Sequence, residues 1–370
     1  MHTFLTIFVS LTLAQPACPL ELIESKPLPA LTKKFQHTEG WTGGDGAQTL
    51  RLSADRTLWL FADTWIGSIQ DGKRVKPRMI NNTFAWQSLK NADDPFRFFW
   101  AKAEAGPDAI LKPLDKGTWY WPGDGALVDG KLYLFCKVIR RREKGEPGFQ
   151  FDWFQNELLQ IANPLDEPTT WKIERYRFAD DADQPRLGVA CMMDDGFLYA
   201  FGLFPEKQCK PFHTPLCVAR IQKKLLPRMK REDWEYHSDI GGAKAWSPVP
   251  KNLITLFRDA PAEFTVSTVR GIPGYVAVYT QFGLGGNITV RHAMTPEGPW
   301  SKSLKIYQCP EMDKKIFQYG AKNHPELTTR DGQLIITYCR NIGSLADHIR
   351  RPDVYFPQAI EATLRWRGNP

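Results

Sequence analysis

GDGAQTLRLSADRTLWLFADT, residues 44–64, decides the fold. It begins on small and acidic residues, runs through an apolar alternation and turns at Ser53-Ala54-Asp55-Arg56. A second alternation follows and closes on the aromatic Phe61. Strict alternation places apolar side chains on one face of an extended chain, so the stretch reads as a hairpin with one face buried. Four more segments share the design: GDGALVDGKLYLFCK from Gly123, GVACMMDDGFLYAFGL from Gly188, EFTVSTVRGIPGYVAVYTQ from Glu263 and PELTTRDGQLIITYC from Pro325. Asp129-Gly130, Asp195-Gly196 and Asp331-Gly332 are the residue pairs that tight hairpin turns select.

The aromatics that end the second strands, Phe61, Phe135, Phe201, Tyr279 and Tyr338, are 74, 66, 78 and 59 residues apart, leaving each unit room for two more strands. Third strands are expected at 82–88, 157–162, 216–221, 288–293 and 359–366. Fourth strands are expected in FRFFW, WKIERY, WEYH and LKIY. The last unit lacks a fourth strand after Trp366, and residues 20–35 are expected to supply it. Four-stranded antiparallel units repeated in this way predict an all-β fold, a five-bladed β-propeller in one domain spanning 20–370. The competing arrangement is a string of hairpins in two β-sandwich domains.

Composition agrees with many short strands: aromatics make up 12% of the 370 residues, and Gly and Pro contribute 28 each. The net charge of +7 arises from scattered basic residues, without the interleaving of arginine and aromatics that nucleic-acid binding calls for. Residues 4–13 form an apolar run too short to span a bilayer, which predicts a signal peptide over 1–14, or to Ala17, and a secreted or periplasmic protein. Cys18 offers a weaker lipid-anchor reading. Seven cysteines without CxxC spacing argue against a zinc site, and Cys209 with Cys217 is a candidate disulfide. No later stretch is long and apolar enough for a transmembrane segment, and a monomer is expected.

The chemistry gathers at the starts of the inner strands. Asp45, Asp124 and Glu263 open three of them, and Glu326 sits in the fifth unit beside His324. Asp63 ends the hairpin that Asp45 begins. Their midpoint is residue 54, inside the turn, so a symmetric ladder sets them opposite each other with Cβ atoms roughly 4.5–5.5 Å apart. Two carboxylates so close cannot both ionise freely. A pair with split pKa values is what glycosidic cleavage uses, one acid protonating the leaving oxygen and one carboxylate acting as base or nucleophile. Asp45 and Asp63 are therefore the candidate catalytic pair.

Asp124, Glu263, His324 and Glu326 are candidates for substrate binding or pKa modulation. Arg186 and Arg340 suit recognition of hydroxyls or carboxylates, and Trp41, Trp65 and Trp121 suit stacking on a sugar ring. Each has a plainer reading: Asp124 as a cap for backbone amides, His324 as a packing residue, the tryptophans as core. No cofactor is required, although a carboxylate-lined pore is compatible with a structural calcium ion.

GWTGGDGAQTLRLSADRTLWLFADTWIG (40–67), MINNTF (79–84), WYWPGDGALVDGKLYLF (119–135) and YGAKNHPEL (319–327) together resemble the DUF4185-type family of exported five-bladed propellers, some of which are endo-D-arabinanases. More distantly the chain is similar to five-bladed glycosidases acting on arabinan, fructan and related furanosides. The resemblance implies a carbohydrate substrate, an arabinan-like furanoside above all, with the acids of the GGDG and FxDT segments, here Asp45 and Asp63, as the catalytic pair. Ala62 departs from the glycine that commonly precedes the second acid. The rival functions are a non-catalytic glycan-binding propeller and a polysaccharide lyase using His324 and Tyr319.

Overall fold

Asp129 (φ +50°) with Gly130 (φ +78°), and Asp195 (φ +42°) with Gly196 (φ +75°), adopt the left-handed pair of a type I′ turn. Their twist matches that of the flanking strands, so each turn fixes its hairpin register. In the computed structural model, which describes residues 15–91, 93–145, 150–179, 184–205 and 215–368, the strands form seven antiparallel sheets among the described residues. The expected leader, 1–14, lies outside them, as does Cys209 of the candidate disulfide. No helix among the described residues is long and apolar enough to cross a membrane.

Five sheets of four or five strands follow one another along the chain. The first holds Gln48–Arg51, Arg56–Phe61, Thr83–Ser88 and Arg97–Phe99. The second holds Thr118–Val128, Lys131–Arg141, Phe151–Ile161 and Ile173–Ala179. The third begins at Arg186–Asp194, the fourth at Phe264–Val269 and the fifth at Phe317–Asn323. In the fifth, Leu20–Pro27 pairs with Gln358–Trp366, Leu20 opposite Trp366, so an N-terminal strand supplies the missing edge.

Two features depart from the four-strand expectation. Gly241 and Gly242 (φ +63° and +89°) turn the chain back after Glu235–Ile240, giving the third sheet a fifth strand, Ala243–Ser247. In the first sheet, Asp71-Gly72 (φ +49° and +71°) folds an inserted hairpin, Thr64–Gln70 with Lys73–Ile80, which pairs with Glu39–Gly44 instead of joining the sheet.

The first strands of successive larger sheets stand beside one another. What joins the sheets is apolar packing. The five aromatics that end the second strands are all buried, and five large clusters each bridge two sheets. One runs from Phe135 to Leu198 and Trp234, and another joins Phe61 of the first sheet to Ile335 and Ala359 of the fifth. Each such side chain contributes roughly 1.5–3 kcal/mol through burial.

Gly188 shows how tight these seams are: at φ +81°, an added Cβ would sit 2.1 Å from both Cβ and Cγ of Phe135. Gly188→Ala is therefore expected to cost roughly 3 kcal/mol or more, as a lowered midpoint in denaturant, because it adds a core clash to left-handed strain. Gly196→Ala has the same backbone sign (φ +75°) but open space around its Cβ, and should cost roughly 1 kcal/mol. Equal losses at the two positions would contradict the packing account.

Candidate active site

Asp45 lies between Glu39–Gly44 and Gln48–Arg51, and Asp63 between Arg56–Phe61 and Thr64–Gln70. Gly44 pairs with Thr64 and Gln48 with Leu60, so the two aspartates oppose each other in register. The Asp45 N–H donates to the Asp63 carbonyl at 3.3 Å, and the Ala62 N–H donates to the Asp45 carbonyl at 3.0 Å. Gly46 and Ala47 (φ +86° and +46°) bend the strand just past Asp45.

Asp45 and Asp63 are half-buried as residues. Burial, then the charges of Asp63 and Glu263, raise the Asp45 pKa to about 7, against the hydrogen bond from the Tyr319 hydroxyl. The Tyr319 hydroxyl donates to Asp45 Oδ2 at 2.5 Å, while Oδ1 is buried without a partner. Burial also raises Asp63, opposed by Asn81 and Trp121, whose side-chain N–H groups each donate to its Oδ1 at 2.9 Å. The Tyr355 hydroxyl further ties the pair by donating to the Asp63 carbonyl at 3.2 Å.

Glu263 stands just ahead of the fourth sheet's first strand and faces Lys322, whose buried Nζ is 3.7 Å from Glu263 Oε1 and makes no hydrogen bond. Lys137, in the second sheet, donates from Nζ to the Ala262 carbonyl at 2.8 Å and lies 5.2 Å from the Trp153 ring centroid. Burial lowers its pKa to about 8, although Glu263 and Asp45 pull it upward. The Arg186 guanidinium lies 5.4 Å from the centroid of the same Trp153 ring. Asp63, Glu263 and Lys137 thus each interact electrostatically with Asp45.

Several sequence candidates turn out to be structural. Asp124 is buried and accepts from the Gly125 and Cys191 N–H groups at 2.8 and 2.7 Å, tying the second sheet to the third; burial raises its pKa to about 7. His324 is fully buried with both ring nitrogens on hydroxyls, Thr49 and Thr337, each at 2.8 Å, and burial lowers its pKa to about 3. It packs against Trp59 in the seam between fifth and first sheets, which corrects its placement as a pore residue.

Glu326 accepts from Thr57 at 3.1 Å on the same seam. Trp41 and Trp65, expected to border the acids as sugar platforms, are core: Trp41 stacks on Phe98 and donates to Thr83, and Trp65 donates to His348. Large inserted side chains next to a hairpin are drawn into the apolar layer beneath it. Arg340 lines a recess of about 340 Å³ with Thr42 and Asp353, which neither Asp45 nor Asp63 lines.

Trp121 alone of the three candidate tryptophans reaches the pair. Asn81, Lys137, Trp153 and Tyr355 are site residues that sequence reasoning missed. Asn81 lies in the quoted MINNTF and Tyr319 with Lys322 in a visibly polar strand, whereas Tyr355 lies in a loop without any pattern. Among the described residues, no group of three or more His, Cys, Asp or Glu is placed to hold a metal.

Comparison with known proteins gives a family. No curated protein matches the chain. A structure from Bacteroides ovatus, provisionally named a hydrolase, superposes with a TM-score of 0.73 at 18% identity, covering 93% of each chain, and so shares the fold. An alpha-L-arabinofuranosidase from Lactobacillus brevis scores 0.49 at 12% identity, over 89% of this chain and 93% of that one. A xylan beta-1,4-xylosidase from Bacillus halodurans C-125 scores 0.46 at 12% identity, over 90% of this chain and 56% of that one. The family model that matches, over residues 30–362, is not of the DUF4185 type, so the expected membership and the arabinanase inheritance drawn from it are set aside. The chain belongs to the family described as Domain of unknown function DUF5005.

Proposed function

We propose that the chain is a glycoside hydrolase whose five larger sheets are the blades of one propeller, with Asp45 and Asp63 performing a two-carboxylate cleavage. The observation that supports this most is the opposed pair itself: two carboxyls in register, both with raised pKa, with the Trp121 indole on Asp63 and Lys137 interacting with Asp45. An exported protein would meet polymeric glycans, and an arabinan-like furanoside is one substrate class to test, alongside galactans and acidic polysaccharides.

The roles follow from the partners. Asp63 receives two N–H donors that favour its ionised form, which suits a base or nucleophile at the anomeric carbon. Asp45, raised to about 7, suits the acid that gives its proton to the departing glycosidic oxygen. Water then supplies the hydroxyl of the new reducing end and returns a proton to the pair. Glu263 supports a second pairing with Asp45, since its charge also bears on that carboxyl. A lyase is less well supported, because both nitrogens of His324 are committed within the seam.

Incubation with the glycan panel should release new reducing ends, and binding without release would point to a lectin. Asp45→Asn and Asp63→Asn should each lower kcat by about 10²–10⁴-fold with little loss of folded stability. If both retained wild-type rates on a cleaved glycan the assignment would fail, and a large loss in Glu263→Gln with Asp63→Asn unaffected would favour the second pairing.

The pH profile has a definite sign. A proton donor with a raised pKa works below that value, so kcat/KM should fall as pH rises through about 7, where Asp45 ionises. In Asp63→Asn, any residual activity should lose its alkaline limb at lower pH, because the like charge that helped to raise Asp45 is gone.

A further inference from the structure

Asp45 Oδ2 is the end of a file of hydrogen bonds that begins beneath the inserted hairpin. The Trp65 indole N–H, a donor only, gives its proton to His348 Nδ1 at 3.0 Å. His348 Nε2 must then carry the ring proton, and it donates to Asn341 Oδ1 at 2.8 Å. The Asn341 amide is oriented independently, since the same Oδ1 also accepts from the Ile342 and Gly343 N–H groups at 2.7 and 3.2 Å. Asn341 Nδ2 donates to the Tyr319 hydroxyl at 3.4 Å, the longest link, and Tyr319 donates to Asp45 Oδ2 at 2.5 Å.

The polarity of the file is thus fixed at two places, and every proton in it points toward Asp45. Oδ2 already faces the Tyr319 proton. Oδ1, buried and unpaired, is the oxygen left to hold a proton of its own.

We propose that Trp65, His348, Asn341 and Tyr319 form a positioning relay that holds Asp45 Oδ2 as an acceptor and thereby leaves the acidic proton to Oδ1. This rests on the reading of Asp45 as the proton donor. His348 and Asn341 are positioning residues, acting through Tyr319. The imidazole stays neutral because burial, aided by the Arg74 guanidinium, lowers its pKa to about 4 against the pull of Asp347. Arg74 also donates to the His348 carbonyl and, at 2.8 Å, to that of Thr42, anchoring the short helix Leu345–Arg350 to the hairpin insert. The titratable and charged groups that bear on Asp45 are Tyr319, Tyr355, Asp63, Glu263, Lys137 and Cys339. None of the others donates through His348.

The test reads the protonation of Asp45 directly, by carbon NMR of the full chain labelled at aspartate carboxyls, with Asp45→Asn identifying the resonance. Donors on Oδ2 favour the ionised form, so Tyr319→Phe should move the Asp45 titration up by about one pH unit. His348→Leu, which cuts the file two links away, should move it up by about half a unit, and His348→Gln, which keeps an N–H toward Asn341, should restore it. Should His348→Leu fail to fold, Trp65→Phe keeps a ring and removes only the first donor, and a rise of the same sign is expected.

A shift in Tyr319→Phe without one in the His348 or Trp65 variants would overturn the relay, as would no shift in any of them. The titration needs no substrate. If Asp45→Asn kept full glycan hydrolysis, the catalytic reading would fall while the relay was still being tested on its own. On a cleaved glycan, His348→Leu should lower kcat several-fold with KM unchanged, whereas a merely structural loss would lower the amount of folded protein.

Discussion

Antiparallel register is the constraint on which the site depends. Once Gly44 pairs with Thr64 and Gln48 with Leu60, Asp45 and Asp63 have to face one another across a single ladder rung. Burying two like charges there is unfavourable, and the surroundings answer it with donors: Asn81 and Trp121 on the Asp63 carboxyl, Tyr319 on that of Asp45. The donors reduce the cost without removing it. Two neighbouring acids with different donors around them are the condition that acid and base chemistry at one bond requires.

The rest of the recess is assembled from edges of other sheets. Lys137 comes from the second, Glu263 from the start of the fourth, and Tyr319 and Lys322 from the fifth. Tyr319 and Lys322 flank a register shift at which Gly320 (φ +64°) bends the strand. Lys322 is buried beside Glu263, its Nζ 3.7 Å from Oε1 and without a hydrogen bond.

Most of the sheet framework was legible because alternation is a backbone property. Third strands expected at 216–221, 288–293 and 359–366 lie at Leu216–Gln222, Asn287–Ala293 and Gln358–Trp366, and the missing edge strand lies within residues 20–35 as expected. The inserted hairpin was not anticipated, although its Asp71-Gly72 turn carries the same signal as the others. The opposed aspartates were legible through arithmetic on the turn. Their partners were not, because Asn81, Lys137 and Tyr355 reach them through the packing of sheets, which no local pattern encodes. Trp41, Trp65 and His324 are buried, which agrees with the plainer of the two readings that their positions allowed. Family membership was misread where short glycine-rich motifs, shared by many hairpins, carried the likeness.

Asp45 and Tyr319 are 274 positions apart, and the strand Leu20–Pro27 completes the sheet to which Tyr319 belongs. Synthesis therefore delivers the acid early and its hydroxyl partner late. A nascent or partly threaded chain carries Asp45 and Asp63 on a hairpin still open to water, where carboxylates ionise at ordinary pH and offer no held proton. The chemistry proposed for this pair would come into being only once the strand that carries Tyr319 has packed against Asp45.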